Sequence, residues 1–139
     1  MAGCGGGSGD SRLSREDFVR QADSICTRYE KRVSNAMSGA TAGSGSQLAD
    51  AIDTVLPTIK AGNNELRKLS PPEELQQPFD RWIAIADQEV RAAVRLRDAI
   101  RANDPQAQRV AFTVLQRRDA QQDELARNEL GLSACASNA

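Results

Sequence analysis

The chain has 139 residues, enough for one domain with a real core and no need of metal or oligomerisation. A formal net charge of −1, with no basic block, excludes the electrostatic footprint of a nucleic-acid binder. The absence of histidine removes the commonest general base and zinc ligand, and an aromatic content of 4% leaves a core of aliphatic side chains and alanine, which suits packed helices better than a β-sandwich.

Residues 1–12 are rich in Gly and Ser, show no periodicity and read as a flexible tether. A single helical domain is expected over 13–137. Within the tether, Ala2-Gly3-Cys4 followed by Gly5-Gly6-Gly7-Ser8 resembles the end of a bacterial lipoprotein signal, in which small residues precede the cysteine that receives the lipid. Met1 stands where Leu is usual, and the charged and apolar regions that precede such a cysteine are missing. The chain is therefore expected to be shortened, or its start assigned too late. The resemblance implies lipidation at Cys4 and a membrane partner through that anchor. The alternative is an incidental thiol in the tether.

The first helix is predicted from near Ser14, with Asp17 three residues on in the manner of a capping box. Phe18, Ala22, Ile25, Cys26, Tyr29, Val33, Ala36 and Met37 then form an apolar stripe of period 3.6. A Gly/Ser-rich loop ends it. The second helix begins around Ser46, carries Leu48, Ile52, Val55, Leu56, Ile59, Leu66 and Leu69, and is expected to kink at Pro57 and stop at Ser70-Pro71-Pro72. For the third, Pro78 leaves two openings: a short turn before a main helix starting there, or a bend. Its stripe is Phe79, Trp82, Ile83, Ala86, Val90, Ala93, Val94, Leu96 and Ile100, closed by Asn103-Asp104-Pro105, which also caps the next helix. The fourth shows Val110, Ala111, Val114, Leu115, Leu125 and Leu130, with Gly131 as its C-cap. Four amphipathic helices on short connections predict an all-α, antiparallel up-down-up-down four-helix bundle. No window approaches the roughly 18 apolar residues of a membrane span.

Cys26 and Cys135 read as a disulfide, with two buried free cysteines as the alternative. In an up-down bundle the end of helix four lies beside the start of helix one. Cys26 sits about 18 Å along that helix. A tail folding back from Gly131 reaches it, with Leu132 packed beneath. The bridge would close a loop of about 110 residues, for which chain entropy gives on the order of 4–5 kcal/mol. Ala22-Asp23-Ser24-Ile25-Cys26, Leu69-Ser70-Pro71-Pro72-Glu73-Glu74-Leu75 and Leu130-Gly131-Leu132-Ser133-Ala134-Cys135 together resemble the small helical secreted proteins and lipoproteins of high-GC Gram-positive bacteria. The resemblance covers roughly residues 14–136. It implies an exported bundle with helix one tied to the tail, outside the cytoplasm, and carries no reaction with it.

Chemistry-bearing patterns are sparse. Glu16/Asp17, Glu73/Glu74 and Asp123/Glu124 are adjacent pairs that do not share a helix face and read as solvated surface. Without a partner base the cysteines offer no nucleophile. No cofactor, metal site or enzyme activity is expected. One constellation remains. The second helix's stripe lapses at Gly62 and Asn63, the fourth's at Arg118 and Gln122, at similar height and near Trp82. Asn63, Trp82, Arg118 and Gln122 are thus candidates for a polar layer lining a pocket, expected to favour small anions through Arg118. The alternative is side chains that snorkel to solvent. The function expected is a non-enzymatic binding or structural module of the cell envelope with an unknown protein or small-molecule partner. A soluble ligand-binding bundle using the layer around Trp82 and Arg118 is the second reading.

Overall fold

The computed structural model describes residues 11–38 and 45–136. Cys4 and the tether before Ser11 lie outside the described residues, as does the connection 39–44. Among the described residues the chain is helical throughout its regular structure, with no strand: α1 (Arg15–Met37), α2 (Gly45–Arg67), α3 (Gln76–Arg101) and α4 (Pro105–Glu124).

Each boundary has a local cause. Ser14 caps α1, its hydroxyl accepting from the Asp17 N–H at 3.1 Å. The Asp17 carboxylate does not return to Ser14 but pairs with Arg20 one turn on. α2 runs on through Pro57, whose ring is exposed, so the missing donor lies on the solvent side. After Pro71-Pro72 a 3₁₀ turn, Glu73–Leu75, buries Leu75, and α3 starts at Gln76. Pro78 therefore falls in the first turn of α3. Neither the helix start at Pro78 nor the bend is needed, because the first N–H groups of a helix have no internal partner to lose. Asn103 (φ 51°) takes the left-handed turn after α3. The Asp104 side chain then accepts from the Ala107 N–H at 3.0 Å, with Pro105 at the first position of α4.

α4 passes into a π-helical turn, Leu125–Leu130, that stops at Gly131, where φ is +71°. The Leu132 N–H returns to the Ala126 carbonyl at 2.7 Å. The chain then folds back over α1: Leu132 is fully buried, and the Ala134 N–H donates to Asp23 Oδ1 at 3.0 Å. Cys135 forms a disulfide with Cys26, Cα to Cα 5.1 Å, across 109 residues of sequence. The predicted stripe of α4 needs one correction. Val110 is 60% exposed and its neighbour Phe112 52%, while Ala111 beside them is buried. α4 is the least amphipathic of the helices, so one apolar residue in this cluster can face α3 only by turning its neighbours outward.

α1 packs on α2, α2 on α3 and α3 on α4. The buried apolar side chains form two clusters. One gathers Phe18, Ala22, Leu66, Phe79, Trp82, Leu130 and Leu132 from α1, α2, α3, the π-helical turn and the tail, with Phe18 edge-on to Phe79 at 5.6 Å between ring centres. The other holds Ala49, Ile52, Leu56, Leu96, Ile100 and Ala111, with no residue from α1.

Candidate functional site

Between the two clusters the interior is polar. In α3 the inward positions run Phe79, Trp82, Ala86, Glu89, Ala93, Leu96, Ile100, a heptad-like series with one carboxylate in it. From α4, half-buried Gln122 and Asp123 and exposed Asp119 line the same region. A cleft of about 310 Å3 opens there. Ile25, Tyr29, Glu30 and Val33 of α1 form one wall, Ile59, Gly62, Asn63 and Leu66 of α2 another, and the Cys26–Cys135 bridge with Ala134 and Ala136 closes an end.

Gly62 lets α1 approach α2 closely: a Cβ there would lie 3.0 Å from Cγ of Tyr29, so a larger residue would press the Tyr29 side chain back. The Tyr29 hydroxyl donates to Glu65, as does Arg28, and the guanidinium carbons of Arg28 and Arg32 each lie 5.2 Å from the Tyr29 ring centre. The hydrogen bond to Glu65 raises the Tyr29 pKa and lowers that of Glu65.

Glu89 is the perturbed group of the cleft. Burial first, and then the Asp119 and Asp123 carboxylates, push it up to about 8, so at neutral pH it holds its proton most of the time. Its neighbour suits either state. With its amide nitrogen turned toward α3, Gln122 donates to both Glu89 oxygens at 2.9 and 3.1 Å; with the amide reversed, its oxygen accepts from the protonated carboxyl. Trp82 is 2% exposed, and its Nε1 has no hydrogen-bond partner among the described residues.

The sequence-derived set is partly assembled. Asn63, Trp82 and Gln122 line the cleft together. Arg118 does not line the cleft with them: it donates to Gln121 Oε1 at 2.8 Å on its own helix. The expectation of an anion site falls with it. The charged side chains lining the cleft are Glu30, Glu89, Asp119 and Asp123. Sequence reasoning missed Glu89, although a charge at an inward heptad position is a visible signal. Among the described residues no set of three Asp, Glu or Cys side chains is placed to hold a metal ion. No described helix is long and apolar enough to cross a membrane. Comparison with known protein families, curated proteins and solved structures finds no match.

Proposed function

We propose that the protein is an exported, lipid-tethered binding module of the cell envelope, without chemistry of its own, whose ligand occupies the cleft beside Glu89. The observation that carries this reading is the Cys26–Cys135 disulfide forming the end wall of that cleft. Such a bond persists where thiols oxidise, outside the cytoplasm, and here it also shapes the polar interior. The sequential packing of the helices supports an antiparallel up-down-up-down order. The small residues around Cys4 support a lipid anchor at the end of the tether.

A protonated Glu89 has the chemistry of a general acid. The nucleophile-bearing residues that line the cleft are already engaged: Tyr29 donates to Glu65, and both cysteines are bonded to each other. Binding therefore fits better than catalysis. The test is detergent phase partitioning of the natural precursor expressed in a lipoprotein-processing host. The wild type is expected in the detergent phase and Cys4→Ala in the aqueous phase. Equal partitioning of the two, or free Cys26 and Cys135 thiols that react with maleimide in the freshly isolated protein, would overturn the reading.

A further inference from the structure

We infer that the outer face of α3, with the flanks of α2 and α4 beside it, docks on an anionic lipid bilayer, its cations on the headgroup phosphates and its valines at the interface. The contact depends neither on the ligand cleft nor on the anchor at Cys4.

The fold assembles this face. Lys60, Arg91, Arg95 and Arg117 come from three helices, so no basic block shows in the sequence. Two grooves bring their surroundings together. One lies between α2 and α3 and is lined by Lys60, Asn64, Val90, Arg91, Val94 and Arg95. The other lies between α3 and α4, where Arg95 joins Ala99, Val110, Ala111 and Val114. Arg95 lines both, so α3 forms the ridge between them. Arg117, three residues after Val114 and seven after Val110, continues the same stripe of α4.

Charge gives the first argument. All four cations are exposed, and none is bonded to a described residue. The carboxylates of the same grooves are already engaged: Asp87 pairs with Arg67 at 2.7 Å, Asp98 with Arg97 at 2.9 Å, and Asp104 caps α4. The carboxylates without a described partner lie elsewhere: Glu16 and Glu30 on α1, Glu73 and Glu74 in the 3₁₀ turn, and Glu124 at the end of α4. The unpaired cations of α1, Arg15 and Lys31, each stand next to one of these glutamates. A chain of net charge −1 thus holds its unbalanced positive charge on one side, where Arg109 of α4 adds to it. Such a separation of charge orients the molecule on an anionic surface.

Apolar surface gives the second, and it separates a bilayer from a soluble polyanion. Val110 is 60% exposed, and Val90, Val94 and Val114 are half-buried in the same two grooves. A polyanion in water engages cations alone. A bilayer interface also receives apolar side chains at the boundary of headgroups and acyl chains. Cations interleaved with exposed valines therefore match lipid better than any dissolved anion. A single acyl chain holds a protein only marginally, and stable attachment takes a second signal such as a basic patch. This face would supply that signal to a chain tethered at Cys4.

The test is co-sedimentation of the full chain, expressed without lipidation, with vesicles of phosphatidylcholine alone or with about one-third phosphatidylglycerol. Binding to the anionic vesicles is expected to be at least about tenfold tighter, and to be mostly lost in about 1 M salt, where screening acts within about 3 Å. Arg91→Gln with Arg95→Gln is expected to weaken it about twentyfold, at roughly fivefold per cation. Arg15→Gln with Lys31→Gln makes the same change of net charge on α1 and is expected to weaken it less than about twofold. Val110→Ser is expected to weaken it about threefold. Equal affinity for the two kinds of vesicle, or equal losses in the two double variants, overturns the inference. Wild-type affinity in Val110→Ser, together with displacement from vesicles by heparin, assigns the face to a soluble polyanion and overturns the bilayer. Either failure leaves the Cys4 partitioning result untouched, because the protein in this test carries no lipid.

Discussion

Around Phe18, Phe79 and Trp82, side chains of α1, α2, α3, the π-helical turn after α4 and the returning tail meet in a cluster with the disulfide and Tyr29 packed against it. Around Ile52, Leu96 and Ile100, only α2, α3 and α4 contribute, the side chains are aliphatic or alanine, and the helices are cross-linked outside the core by charge: Asp53 accepts from Arg97 and Arg101. The first cluster gains from large buried rings and a bridge that restricts the unfolded chain. The second relies on the area of small side chains, since exposed ion pairs add little. The contrast shows why a polar cleft persists at mid-height. α1 is held at the first cluster and supplies no buried side chain to the second, so neither core closes over Glu89.

The largest effect should come from the covalent end. Replacing Cys26 and Cys135 by Ala is expected to cost about 4 kcal/mol in urea unfolding. Amide exchange should locate the loss. Protection is expected to fall in α1 and around Leu132, while amides near Ile52 and Leu96 in α2 and α3 lose least. A uniform loss would break the comparison, because the two ends would then unfold as one unit.

Next comes the boundary between them. Glu89 has a folded pKa of about 8, above its usual 4.5, so the fold is favoured by its proton. That contribution is complete below the unfolded value and is lost as pH rises through about 8. Wild-type stability is expected to fall by on the order of 2–4 kcal/mol between about pH 5 and pH 9. Glu89→Gln should flatten the slope, matching the wild type at the acid end and exceeding it at the alkaline end. Urea midpoints across this range decide it. A variant that keeps the slope would assign it to another group.

The smallest effect belongs to the ion-paired end. Hydrogen bonds from Arg97, then Arg101, hold the Asp53 carboxyl below its usual value. Its contribution is therefore present above the ordinary carboxylate range and lost as pH falls through the lowered pKa. Asp53→Asn should lower Tm only slightly, and less still in high salt. A fall in Tm comparable to that of the cysteine double variant would invert the ranking of the two ends.

Helix number, the caps at Ser14, Asp104 and Gly131, and the pairing of Cys26 with Cys135 were legible because each depends on nearby residues or on one chain reversal. Four features were not. Pro78 looked disruptive because the sequence does not show that a 3₁₀ turn before it sets the start of α3. Val110 was read as inward because α4 carries neighbouring apolar residues and too weak a stripe to choose among them. Arg118 and Gln122 both interrupt that stripe, and four residues of α-helix set them only about 40° apart in rotation. Which of the two turns into the cleft depends on how α4 rolls against α3. Glu89 is hidden in the sequence because Ala86 and Val90 keep the pattern of α3 apolar on either side of it.

The bridge joins the middle of α1 to the returning tail at Cys135, so that α2, α3 and α4 all lie inside one covalent ring. A single protease cut anywhere between residues 26 and 135 opens that ring without releasing a fragment. The nicked molecule stays in one piece until a reductant reaches the sulfurs. One cut would leave the second half attached to whatever holds the first.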